Sequence, residues 1–208
     1  MSINSSMLAA CSNLRRGTER LSVPAAWDLS ALAGRLVELS GDAASAALTL
    51  ATGLVAEAQR HSEPAAWIGS RESSFYPPDV AAAGVDLAAL VVVWAQGPRE
   101  MAQASDLLLR SGAFGLVILD FGYTADLPLA EQTRLVGLAK RHATALVCLT
   151  QKAKQQPSLG SLVSLRAEAM RTGRRGQRFR CEARVLKDKR HGPGWTHAEL
   201  CDGPDGLC

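Results

Sequence analysis

Aromatic residues make up only 5% of this 208-residue chain. Its most basic stretch has only Phe179 and Trp195 nearby, which argues against a base-stacking platform. Cysteine supplies no covalent framework: Cys11, Cys148, Cys181, Cys201 and Cys208 are an odd number without a C-x-x-C pair, so reduced, mostly buried thiols are expected. A zinc set of Cys181, His191, His197 and Cys201 matches no common ligand spacing, and no metal is expected. The longest apolar run, Leu87 to Ala95, is too short to cross a bilayer. The N-terminus lacks a basic segment leading into an apolar one, so a cytoplasmic location without a secretory leader is expected. No nucleophile sits beside His61, His142, His191 or His197 to suggest a catalytic triad.

With 47% apolar and 21% charged residues, the chain has the composition and length of one α/β domain with a sizeable core. Residues 1–26 form an extension of mixed character, compatible with a short helix over Ser6 to Arg15. From Arg35 to Leu149, short apolar strands alternate with helical patterns. Strands are expected at 35–40, 65–69, 90–95, 116–120 and 145–149, and helices at 44–60, 99–111 and from Pro128 to about His142. Leu90 to Ala95 is apolar on both faces, as a central parallel strand should be. Gly112 marks the stop of the preceding helix. The pattern implies a doubly wound, mostly parallel sheet with right-handed crossovers.

After Thr150 the pattern changes. Leu159 to Ala169 is compatible with either strand or helix. Gln177 to Val185 alternates strictly, with Arg178, Arg180 and Arg184 on the wet face and Phe179, Cys181, Ala183 and Val185 on the dry one. Trp195 to Cys201 also alternates, so a C-terminal antiparallel hairpin across the His191 to Gly194 turn is expected.

The stretch Leu36 to Leu50 has the layout of a phosphate-binding loop without its chemistry. An apolar strand enters a small-residue turn and then a helix, where G-x-x-x-x-G-K-[ST] would stand. Here Gly41 is followed after four residues by Ala46, Ala47 and Leu48. The lysine and hydroxyl that would meet phosphate and Mg²⁺ are missing. Asp42 adds a negative charge where phosphate oxygens would lie.

Net charge is +3, but residues 151–190 hold twelve Lys or Arg against Glu168, Glu182 and Asp188, leaving −6 on the remainder. The basic residues are Lys152, Lys154 and Arg166, then Arg171, Arg174, Arg175, Arg178 and Arg180, then Arg184, Lys187, Lys189 and Arg190. Gly173 and Gly176 among the arginines suggest a mobile arm leading into a strand. Such a block suits DNA phosphates or an acidic protein face, with a merely solvated surface as the plain alternative.

Four blocks taken in order carry a family resemblance: Gly34 to Gly41; Ala83 to Leu87; Leu108 to Ala113 with Leu116 to Asp120; and Arg184 to Lys189 followed by Gly192 to Trp195. They resemble the ATPase core of RecA recombinases, and more closely the ImuA family, RecA-related proteins found with bacterial translesion polymerases. The likeness covers roughly residues 30 to 206. It implies a three-layer αβα core over residues 27–190, a mostly parallel twisted sheet, and a closing strand and tail at 191–208. Asp120 matches the family's Walker B acid, and Glu72 lies near its catalytic glutamate. Where RecA has Gly-Lys-Thr, this chain has Ala46, Ala47 and Leu48. The resemblance with these departures implies a non-enzymatic accessory protein of damage-induced mutagenesis, without a cofactor. Its implied partners are an ImuB-type, Y-family-like polymerase homologue and an error-prone polymerase, with RecA and weak, sequence-indifferent DNA contact as further partners. A SulA-like inhibitor of the cell-division GTPase and a divergent ATPase using Asp120 and Glu72 are the rival readings.

Overall fold

The computed structural model describes residues 25–42, 45–71, 73–123, 125–175 and 178–202. The expected N-terminal helix, Glu72, Cys11, Cys208 and the tail beyond Asp202 lie outside the described residues.

Among the described residues, eight strands form one sheet, flanked by helices on both faces. In chain order they are β1 (Leu36–Gly41), β2 (Ala65–Gly69), β3 (Leu90–Trp94), β4 (Leu116–Asp120), β5 (Ala145–Gln151), β6 (Leu165–Arg175), β7 (Arg178–Asp188) and β8 (Thr196–Asp202). Their spatial order is β3-β2-β4-β5-β1-β6-β7-β8. The first six are parallel neighbours, and β6, β7 and β8 run antiparallel to one another. β1, β2 and β4 are buried at every position, as strands covered on both faces must be.

Alternate strand residues feed two cores. On one face α1 (Leu29–Leu32), α2 (Ala47–Arg60) and α3 (Pro77–Ala82) pack against Val37, Leu39, Trp67, Ile118 and Val147. On the other, α4 (Pro98–Ser111) and α5 (Leu129–His142) pack against Leu36, Ile68, Val117, Leu119 and Cys148. Gly112 ends α4 in the left-handed region at φ 67°, where a side chain would be strained. The three-layer αβα fold with its antiparallel C-terminal strands agrees with the sequence reading.

Two expectations are corrected. β3 is an edge strand, not a central one: it pairs with β2 alone among the described strands, and Val91 and Trp94 are 42% and 47% exposed. A continuous apolar run reports the polarity of its side chains, not the number of its backbone neighbours. The described part of the Arg-rich segment is likewise not a loose arm. Arg171 and Arg174 lie within β6, which pairs with β7 through register shifts near Arg166 and Gly173. The ambiguous stretch 159–169 becomes strand only from Leu165.

No helix among the described residues is long and apolar enough to cross a membrane.

Candidate functional site

The carboxyl ends of β1, β4 and β5 open beside the N-terminus of α2, where ligands bind in sheets of this architecture. Gly41 closes β1, and Ser45 N–H donates to the Asp42 carbonyl across the turn at 3.1 Å. A Cβ on Gly41 would collide with the Ser45 side chain, so glycine is required by contact. Ala46 caps α2 with no side-chain hydrogen bond and is fully buried. A cavity of about 50 Å³ remains, lined in part by Gly41, Asp42, Ser45, Ser74, Asp120 and Gln151. That is room for a few water molecules.

Asp120, at the end of β4, is only 6% exposed. Burial raises its pKa, against the opposing pull of the Ser73 hydroxyl, the Gly122 backbone N–H and the nearby Trp67 indole. Its Oδ2 has no hydrogen-bond partner, and the Trp67 Nε1 stops short of one. A buried carboxylate whose only support is neutral donors costs stability. Asp120→Asn is therefore expected to raise stability at neutral pH by about 1–2 kcal/mol, read as a higher denaturant midpoint. The raised folded pKa sets the sign of the pH dependence. The acid's contribution is fully present below its ordinary value of 3.8 and is lost as pH rises through the folded value. The advantage of Asp120→Asn should therefore fade as pH falls toward 3.8.

A Mg-nucleoside triphosphate does not fit these residues. No lysine or arginine lines the cavity, Ala47 and Leu48 bring methyl groups to the start of α2, and Asp42 and Asp120 face the space where phosphate would gather. Phosphate recognition needs convergent donors and positive charge.

The basic residues separate into distinct roles. Arg166 is 5% exposed and donates to Ser40 Oγ, Gln156 O and Ala153 O, with Glu38 3.7 Å away; it is not available to a partner. Lys152 stands 3.8 Å from Glu38, whereas Lys154 is exposed in the following loop. Arg171 and Arg174 stack over Phe179 at 4.9 and 5.6 Å, a cation–π arrangement. Arg175 ends β6. Arg178 pairs with Asp202 and Arg180 with Glu182, and Arg184 is exposed. Their cross-strand partners are Asp202, Leu200 and Thr196, so the three arginines share one open face of the sheet with Leu200, itself 52% exposed. Lys187 is half-buried, and burial lowers its pKa. Lys189 donates to Ser161 O. Arg190 donates to the carbonyls of Ala31 and Ala33, satisfying acceptors at the end of α1.

Three residues at or near the site were missed from sequence. Glu38 is fully buried and accepts from Thr150 Oγ1, Ser158 Oγ and Leu159 N. Ser73 supports Asp120, and Gln151 closes β5 beside Gly41. An available signal was Glu38 itself, the single charged residue in the apolar strand β1.

Residues 17–153 match the family model described as the RecA N-terminal domain. Similar relatives are Protein RecA of Rickettsia canadensis (strain McKiel), 30% identical over 128 residues, covering 56% of this chain and 37% of the relative. Protein RecA of Corynebacterium urealyticum is 32% identical over 128 residues, covering 56% and 34%. Protein RecA of Bifidobacterium breve is 35% identical over 98 residues, covering 47% and 24%. The chain thus spans about a third of the length of the first two relatives, or less. A parallel core with its ligand edge at β1, β4 and β5, matched over most of that core, places this chain in the family of the RecA N-terminal domain.

Proposed function

We propose that this chain is an ImuA-type accessory protein: a non-enzymatic, RecA-related scaffold of damage-induced, error-prone translesion synthesis. The observation that carries the reading is the carboxylate-walled cavity at the place of the phosphate loop, with Ala47 and Leu48 at the start of α2. A retained sheet with an inverted site charge suits a fold kept for its surfaces. The open face carrying Arg178, Arg180 and Arg184 is the surface assigned to partners, an ImuB-type polymerase homologue and an error-prone polymerase, with DNA phosphates or RecA as further contacts. Its charge suits acidic protein or nucleic acid, and its few aromatic rings suit weak, sequence-indifferent binding to DNA.

The test has two arms. Calorimetric titration with ATP and Mg²⁺ is expected to show no binding; micromolar affinity that Asp120→Ala abolishes would refute the scaffold reading and favour a divergent ATPase. Affinity capture from DNA-damaged cells is expected to recover the polymerase-related partners, and recovery should fall at least tenfold when Arg178, Arg180 and Arg184 are changed to Gln. Recovery of the division GTPase in their place would favour the SulA-like reading.

A further inference from the structure

A groove separate from the β1–α2 turn lies between α2 and β8. It holds about 250 Å³ and is bounded by Gly53 and Glu57 of α2 on one side and by His197 and Glu199 of β8 on the other, with Trp27 and Asp28 completing the wall. Gly53 keeps it open. A Cβ there would already stand 3.5 Å from Glu199 Oε1, so a longer side chain would enter the space between helix and strand. Glycine inside a helix otherwise lowers stability.

Three carboxylates line the groove, Asp28, Glu57 and Glu199, against one arginine, Arg60, with His61 and His197 beside them. The acids are within reach of a ligand: Asp28 and Glu57 are half-buried, and the Glu199 side chain is 39% exposed. Asp28 accepts from the Ser30 hydroxyl and the Ala31 N–H, and Glu57 from the Leu29 N–H. Glu199 lies 3.6 Å from His197 Nε2 and accepts from Cys201 Sγ. Among the described residues, no lysine or arginine forms an ion pair with any of the three.

Trp27 and Asp28 also stand where the chain emerges from its N-terminal extension, just after the first described residue, Ala25. Residues 1–24 contain Arg15, Arg16 and Arg20, with Glu19 as their one acid. We propose that the groove seats this extension of the same chain: residues 15–20 lie along it as a strap, their guanidinium groups donating to Glu57 and Glu199 while Glu19 meets Arg60.

Three properties select this occupant. The charges match in kind, since an acidic wall with one arginine faces a basic segment with one acid, and the forked donors of a guanidinium suit carboxylates. Reach permits it, because the chain from Arg20 to Trp27 extends up to about 25 Å, whereas the α2 wall from Leu50 to His61 is about 16 Å long. A tether of that length keeps the arginines at an effective concentration of about millimolar, so individually weak ion pairs suffice. Nucleic acid would be repelled by the three acids, and the histidines and acids of the described residues are not grouped to hold a metal ion. Strand alternation puts His197 and Glu199 on the side of β8 opposite Leu200, so the strap leaves the arginine face open to partners.

Limited trypsin digestion of the full chain reads the strap, because Arg15, Arg16 and Arg20 are themselves cleavage sites and cleavage tracks the undocked population when docking is fast. Intact mass follows the cuts, and a synthetic peptide of residues 12–24 gives the undocked rate. At low salt the chain should be cut at these sites at least tenfold more slowly than the peptide, and the gap should narrow in about 1 M NaCl. Glu57→Gln combined with Glu199→Gln should bring the chain close to the peptide's rate. Gly53→Met should do the same by filling the groove, with every charge left in place. Amide exchange at Val55, on the buried side of α2, should stay as slow as in the parent, so that lost protection is not lost fold. Equal rates for the parent chain and the peptide would overturn the strap and leave the groove to a basic segment of another protein. Protection that survives both variants would show that the extension docks elsewhere. Protection that disappears on dilution, together with a dimer mass, would assign the segment to a second copy and overturn the intrachain form.

Discussion

Replacing Asp188 with alanine is expected to lower the stability of the domain by about 3–5 kcal/mol, because it leaves a buried guanidinium without its counter-charge. Asp188 ends β7 with its side chain fully buried, 2.6 Å from Arg35 Nη2. It also accepts from the Arg190 N–H at 2.8 Å and the Trp195 indole at 3.3 Å, and it lies 3.1 Å from His191 Nδ1. Arg35 is 2% exposed and sits just before β1, so the pair ties the first strand to the turn between β7 and β8. Arg35 keeps hydrogen bonds to the Ser164 hydroxyl and carbonyl, but neither carries charge.

Burial alone would push the Asp188 pKa up. The Arg190 N–H, Arg35 and His191 outweigh it and hold the value at about 2 rather than 3.8. A depressed acid stabilises the fold above its unfolded value, and that contribution is lost as pH falls from 3.8 toward 2. The amount is about 2 kcal/mol. Urea midpoints measured across that range should fall in the wild type and fall less steeply in Asp188→Asn. An Asp188→Ala variant that unfolds within about 1 kcal/mol of the parent would show that Ser164 suffices for Arg35.

The second large effect is expected at Glu38. Glu38→Ala should cost about 3–5 kcal/mol, since it strands buried donors and a buried cation together. Glu38 is fully buried in the middle of β1. It accepts from Thr150 Oγ1 at 3.1 Å, Ser158 Oγ at 2.7 Å and Leu159 N at 2.8 Å, with Arg166 Nε 3.7 Å and Lys152 Nζ 3.8 Å away. Its removal unties the segment after β5 from β1. Amide exchange at Leu159 should accelerate at least tenfold more than at the core strand residue Val147. Glu38→Gln keeps the shape and one acceptor, and its loss should be smaller. Equal losses for the two variants would mean that charge, not the number of acceptors, governs the network.

Both predictions concern residues whose importance depended on which strands became neighbours. Asp188 and Arg35 are 153 positions apart, and Glu38 and Ser158 are 120 apart. No local period relates such pairs. The order β5-β1-β6-β7 brings them together, and the parallel part of that order follows from crossover handedness and the packing of whole helices. Arg166 was misjudged for the same reason. In sequence it is one of twelve basic residues in 151–190, but in space it is the counter-charge of Glu38 beneath the loop carbonyls of Ala153 and Gln156.

The sequence by itself determined the layers of this protein. Strand and helix periods, Gly112 as a stop and the alternation of β7 sufficed, because burial of one or both faces writes directly into side-chain polarity. It also determined what the β1–α2 turn lacks, because a missing lysine and hydroxyl are missing in any conformation. Only the tertiary structure decided strand order, the edge position of β3, the burial of Arg166 and the groove between α2 and β8. These depend on contacts between segments distant in the chain, which hydrophobic patterning constrains only through its averages.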